Sequence, residues 1–98
     1  MVAIPDEAAG QIRMMFQNLR AILAGAGATL ADVLKMTVYV QDNSYRKALD
    51  AEWVRAFPDP QSLPARQTLL FRDLPAGRLV SCDVLAVASA AISIPVDR

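Results

Sequence analysis

The chain has no histidine and a single cysteine, Cys82, among its 98 residues. Without an imidazole base, a serine or cysteine nucleophile of the triad type is excluded. One cysteine cannot close an internal disulfide, which points to a reducing, cytoplasmic setting. The same shortage removes the usual zinc ligand sets, so no metal is expected. An excess of charge of one sign is also missing: 10 Lys and Arg balance 10 Asp and Glu. Nothing is left over to neutralise a run of phosphates, and a nucleic-acid partner is not expected. Charged residues interrupt every long apolar run, so no membrane span is expected either. The start, Met1-Val2-Ala3-Ile4-Pro5-Asp6-Glu7, lacks the basic-then-apolar order of a signal peptide.

What the chain has in quantity is apolar residues, 54% of the total. A small domain buries only part of its surface when it folds alone. The surplus therefore predicts a single domain over residues 1–98 that assembles with copies of itself.

Pro5-Asp6-Glu7 reads as a helix start, with the acids at the positive end of the dipole. Ile12, Met15, Phe16, Leu19, Ile22 and Leu23 then recur at helical spacing, with Gln11, Arg13, Gln17 and Arg20 elsewhere on the wheel. Gly25-Ala26-Gly27 stops that helix. Thr29-Leu30-Ala31-Asp32 suits a short capped turn. Leu34 to Val40 alternates, which predicts a strand with Leu34, Met36, Val38 and Val40 on one face. Gln41-Asp42-Asn43-Ser44 is a polar break able to cap the next helix. That second amphipathic helix is predicted from Tyr45, Ala48, Leu49, Trp53, Ala56 and Phe57, ended by Pro58, Pro60 and Pro64. Gln67 to Phe71 and Arg78 to Ala88 read as strands around a turn at Asp73–Gly77, and Ala91 to Arg98 as a short tail. The order α-β-α-β-β predicts an α+β fold with two helices on one face of a mixed sheet.

The segment most suggestive of chemistry is Leu63-Pro64-Ala65-Arg66-Gln67-Thr68. It sets an arginine at a strand entrance behind a proline-rich loop. A guanidinium is permanently charged and fits a carboxylate through parallel hydrogen bonds, so Arg66 is a candidate anchor for a small organic acid. The plainer reading is a surface arginine paired with a nearby carboxylate. Cys82 reads as a small buried hydrophobe. Tyr39 and Trp53 are candidates to line a pocket, with helix-to-sheet packing as the default reading.

Taken in succession, several segments resemble the reactive-intermediate (imine/enamine) deaminase family, RidA/YjgF-like, also called the L-PSP endoribonuclease family. They are Gln17-Asn18-Leu19-Arg20-Ala21-Ile22-Leu23, Ala26 through Val40, Phe57-Pro58, Pro64-Ala65-Arg66, Leu74-Pro75 and Leu79 through Ala86. The resemblance implies a chorismate-mutase-like subunit and a homotrimer with active sites in clefts between subunits. It implies that Arg66 grips the carboxylate of a 2-imino acid while water attacks the imine carbon. The products are a 2-keto acid and ammonia, and no cofactor is implied.

This chain departs from the family in three places. It lacks the β-hairpin that usually precedes the first helix, so either the start lies upstream or the sheet is short of two strands, with an edge to cover. The glutamate that helps position water in the family's final strand corresponds to Ser81. Asp83, two residues on and so on the same face, either substitutes for it or is a surface carboxylate paired with a cation. A substrate-contacting asparagine of the second helix corresponds to Asp50, whose charge repels an acid substrate unless it is turned away or paired.

The expected function is hydrolysis of 2-imino or enamino acids, with Arg66, Ser81 and Asp83 as catalytic candidates and Arg66 and Asp50 as binding candidates. The alternative is a non-catalytic binder of small carboxylates, or a regulatory trimer, using the same cleft. Ribonuclease activity is the least favoured by the charge balance and the missing histidine.

Overall fold

A computed structural model describes residues 7–75, 77–87 and 91–97. The first helix, α1, spans Ala8–Gly25. The helix start at Pro5-Asp6 lies outside the described residues; Glu7 occupies the N-cap position. Ile12, Met15, Phe16, Leu19 and Leu23 form a fully buried stripe, as their spacing predicts.

The flank of that stripe departs from expectation at both ends. Gln11 is buried, and Ile22, about three turns along, is 39% exposed. The two share a side of the helix, but among the described residues chain covers the first end and leaves the second partly open. There the Gln11 side chain donates from Nε2 to the Gly77 carbonyl at 2.6 Å and accepts from the Leu79 N–H at 2.8 Å. At the other end the Ala28 N–H reaches the Leu23 carbonyl at 2.8 Å and the Gly27 N–H the Ala24 carbonyl at 3.1 Å. With Gly27 at φ 78°, these bonds make the left-handed helix stop anticipated from Gly25-Ala26-Gly27.

A short turn at Leu30–Asp32 comes next, in which the Thr29 N–H donates to Asp32 Oδ2 at 2.8 Å. Strand β1 is Val33–Val40. Its alternation begins one step away from the expected one. Val33 is buried and Leu34 is 53% exposed, because the pairing with the next strand slips between Val33 and Lys35. This bulge puts one extra residue, Leu34, into β1 and lets Val33 and Met36 share the core face.

Asp42 accepts from the Ser44 N–H at 2.8 Å within a turn at Asn43–Tyr45, and helix α2 spans Arg46–Ala56. Strand β2, Ala65–Leu70, begins before the predicted Gln67, so Arg66 lies inside it. It runs parallel to β1, and α2 supplies the crossover that a parallel pair requires. Strand β3, Val80–Val87, is antiparallel to β1.

The expected C-terminal tail is instead a strand, β4, Ala91–Asp97, antiparallel to β3. Pro95 argues against a strand there, but in the sheet order β2-β1-β3-β4 the segment is an edge, where proline is tolerated. The outer side of β3 is thereby paired rather than exposed. The result is the expected mixed sheet, with four strands in place of the three predicted, and both helices on one face. Met36, Val38, Val40, Val80, Cys82, Val84, Ala86 and Val96 meet the α1 stripe and Leu49, Trp53 and Ala56 of α2. The opposite face carries Thr37, Tyr39, Leu69, Ser81, Asp83, Leu85 and Val87, by register and alternation. Leu69, Leu85 and Val87 there are each more than a third exposed.

Candidate active site

Arg66 stands beside Met36 in the β1/β2 register and so points to the helix side of the sheet. Its Nη2 donates to Asp50 Oδ1 at 2.5 Å. Its Nε donates to Thr68 Oγ1 at 3.2 Å, and its guanidinium carbon lies 5.0 Å from the centre of the Trp53 ring. This arrangement comes from local periodicity. Asp50 and Trp53 are one helical turn apart on α2, and Arg66 and Thr68 are alternate residues of β2. Trp53 is held in turn by Phe57, with ring centres 4.5 Å apart. Arg46, one turn before Asp50, reaches the Thr68 carbonyl with Nη2 at 3.4 Å. Two guanidinium groups thus meet β2 beside the Asp50 carboxylate. A guanidinium held on one face by an indole and at two nitrogens by short side chains is oriented, not freely swinging.

The other two predicted residues lie elsewhere. Ser81 pairs with Tyr39 across β1 and β3. With Tyr39, Phe71 and Leu74 it lines a cavity of about 310 Å³. Of the two readings of Asp83, a stand-in for the glutamate or a surface carboxylate paired with a cation, the second meets a phenol in place of the cation: the Tyr39 hydroxyl donates to its Oδ2 at 3.1 Å. That bond to a carboxylate, and the carboxylate's charge, push the Tyr39 phenol above its ordinary value of 10.0. The Tyr39 ring meets Phe71 edge-on, at 6.2 Å between centres and 82° between planes. Cys82, between Ser81 and Asp83, faces the core and is buried.

The four predicted site residues therefore form two pairs. Arg66 and Asp50 meet on the helix side; Ser81 and Asp83 share the opposite face. The sheet stands between them. Tyr39 corrects an expectation: it packs on the face away from the helices. Its place was readable from alternation with Val38 and Val40. Arg46 was also missed, and its only sequence signal was its spacing of one helical turn from Asp50. Among the described residues no cluster of three or more His, Cys, Asp or Glu could hold a metal, and no helix is long and apolar enough to cross a membrane.

Residues 1–88 match the profile of the family described as Endoribonuclease L-PSP. A RutC family protein of Haemophilus influenzae is 33% identical over 86 residues, covering 86% of this chain and 66% of its own length. The 2-iminobutanoate/2-iminopropanoate deaminase of Escherichia coli is 28% identical over 85 residues, again 86% of this chain and 66% of the relative. The chain thus spans just under two thirds of the length of these relatives. Among solved structures, Mycobacterium tuberculosis Rv2704, of the YjgF/YER057c/UK114 family, superimposes with a TM-score of 0.78 at 30% identity, over 86% of this chain and 70% of that one. E. coli TdcF with bound serine gives a TM-score of 0.80 at 27% identity, over 89% and 69% of the two chains. Matching profile, matching relatives and matching fold together make this chain a member of the L-PSP endoribonuclease family, the group that includes the reactive-intermediate deaminases.

Proposed function

We propose that this protein hydrolyses 2-imino or enamino acids to 2-keto acids and ammonia, in clefts formed between subunits of a homotrimer. The observation that carries the reading is the division of the site by the sheet. Arg66 lies on one face and the Ser81 and Asp83 row on the other, so one subunit cannot present both to a molecule as small as an imino acid. A cleft that takes Arg66 from one subunit and the Ser81 row from its neighbour removes that obstacle. The exposed Leu69, Leu85 and Val87 beside that row supply apolar surface for such an interface.

In the proposed reaction Arg66 holds the substrate carboxylate. Water adds through oxygen to the C=N carbon, and the nitrogen takes up the proton that the water gives up. The C–N bond of the resulting carbinolamine then breaks as its hydroxyl proton passes to the nitrogen and the O–H electron pair closes the C=O bond, so that ammonia leaves with a full complement of hydrogens. The carbon is electrophilic from the start, so the protein's work is to hold the acid, orient the water and move protons. Ser81 is suited to orient water, and Asp83 to accept a proton, with the Tyr39 hydroxyl holding its carboxylate.

One observation favours the alternative, a binder of small carboxylates without turnover: Ser81 stands where the deaminases of the resembling family carry a glutamate, and Asp83 already accepts from Tyr39. The test of both readings is ammonia release from freshly generated 2-iminopropanoate and 2-iminobutanoate, by wild type and by Arg66→Ala. Acceleration over buffer by wild type alone supports the deaminase. Binding of the keto acid by wild type without acceleration sinks it in favour of the binder.

A further inference from the structure

The Arg66–Asp50 pair sits at the position proposed above to grip the substrate, and the inference here rests on that reading. Asp50 occupies one guanidinium nitrogen at 2.5 Å, while Thr68 takes Nε and Trp53 covers one face. An acid arriving with only a negative charge would have to settle beside the Asp50 carboxylate and lose part of what Arg66 offers. Arg46, reaching the same Thr68 on β2, keeps the patch cationic overall. The patch is therefore dipolar: guanidinium and carboxylate lie side by side, at the spacing of a hydrogen bond. Its complement is a small zwitterion, with a carboxylate for Arg66 and a cationic nitrogen on the adjacent carbon for Asp50.

We infer that Asp50 is a specificity residue that selects the zwitterionic, iminium form of a 2-imino acid over the singly charged 2-keto acid. The two differ at one atom. The substrate carries a protonated nitrogen on carbon 2, beside the carboxylate. The product carries a neutral oxygen there. Opposite charges a few ångströms apart attract and like charges repel by comparable amounts. Asp50 thus holds the substrate by the nitrogen that hydrolysis removes, and disfavours the product once that nitrogen has left as ammonia. Asp50 and Arg66 come from the same chain, so this selection does not depend on how subunits assemble.

L-Alanine and pyruvate probe the effect, because they share a three-carbon skeleton and a carboxylate and carry ammonium against oxo at carbon 2; comparing their affinity ratio between variants cancels the difference in shape at that carbon. Their affinities are measured by calorimetric titration on wild type, Asp50→Asn, Asp50→Glu and Arg66→Ala. Wild type is expected to bind alanine more tightly than pyruvate. In Asp50→Asn alanine weakens and pyruvate strengthens, so that their affinity ratio moves by about tenfold. Asp50→Glu keeps the wild-type preference. Asp50 is 60% exposed at its side chain, so neither substitution threatens the fold. A ratio that stays fixed in Asp50→Asn, with binding still lost in Arg66→Ala, overturns the inference and leaves the Arg66 anchor standing. Affinities unchanged in Arg66→Ala, or no binding of either probe by wild type, overturn the anchor and the inference together.

Discussion

Arg66 on β2 and Ser81 on β3 point to opposite faces of the same sheet, with β1 between their strands. If they serve one reaction, they serve it from different subunits. Arg66→Ala and Ser81→Val proteins are then each inactive alone, yet regain activity when unfolded together and refolded as mixed oligomers. Some clefts in the mixture receive an intact Arg66 from one chain and an intact Ser81 from its neighbour. A site contained in one chain gives no recovery, since every chain carries a defect. The rate of ammonia release after co-refolding decides between the two.

The Gln11 side chain is the link between α1 and the turn that leads into β3. Removing it deprives the half-buried Leu79 N–H and the exposed Gly77 carbonyl of this partner and empties the buried place of the Gln11 side chain. Gln11→Ala is expected to lower stability by about 1–3 kcal/mol. Gln11→Glu keeps the acceptor for Leu79 but sets a carboxylate oxygen against the Gly77 carbonyl, and is expected to cost at least as much. Urea midpoints at a fixed protein concentration provide the comparison. A Gln11→Ala protein as stable as wild type would show that the link contributes nothing to the fold.

The helices, the glycine stop and the strands β1 and β3 were legible because each keeps to one period with unambiguous punctuation. What stayed hidden depended on what lies next to a residue in space. Gln11 and Ile22 occupy the same flank of α1, and only the arrival of the Gly77–Leu79 turn buries one and not the other. Leu34 fits the alternation of β1 on paper, but a bulge set by pairing with Ala86 and Leu85 turns it outward. Ile92, Ile94 and Val96 alternate as a strand should, yet Pro95 masks the pattern because edge position is not written locally. At the candidate site, Arg66 and Asp50 were each singled out, but their contact arises from the β1–α2–β2 crossover. Resemblance carried Ser81 into consideration; it could not say that the sheet would divide it from Arg66.

Tyr39 and Asp83 provide a pH test. The folded phenol titrates above its ordinary value of 10.0 because it donates to Asp83 and lies beside that charge. A phenol whose folded value is raised contributes stability that is fully present below the unfolded value. That stability is lost as pH rises through the folded one. Thermal stability is therefore expected to fall above about pH 10. In a Tyr45→Phe background, phenolate absorbance should give a midpoint above 10 for Tyr39. Asp83→Asn removes the charge and should return the midpoint toward the ordinary value. Identical titrations with and without Asp83 would exclude the hydrogen bond as the cause.

Gly25 and Gly27, two residues apart at the end of α1, should respond oppositely to alanine. A Cβ added at either position meets nothing within 4 Å, so space does not separate them; backbone conformation does. Gly25 is the last residue of the helix, where alanine narrows the unfolded ensemble and suits the helical conformation. Gly25→Ala is expected to stabilise by about 0.5–1 kcal/mol. Gly27 holds φ 78°, where a Cβ crowds the following carbonyl, so Gly27→Ala is expected to destabilise by about 1–2 kcal/mol. The loss carries further than its size, because Gly27 turns the chain so that the Ala28 N–H caps the Leu23 carbonyl and the chain enters the turn before β1. Denaturant midpoints of the two variants, at one protein concentration, should fall on either side of wild type. Midpoints displaced in the same direction would show that something other than backbone conformation governs this helix end.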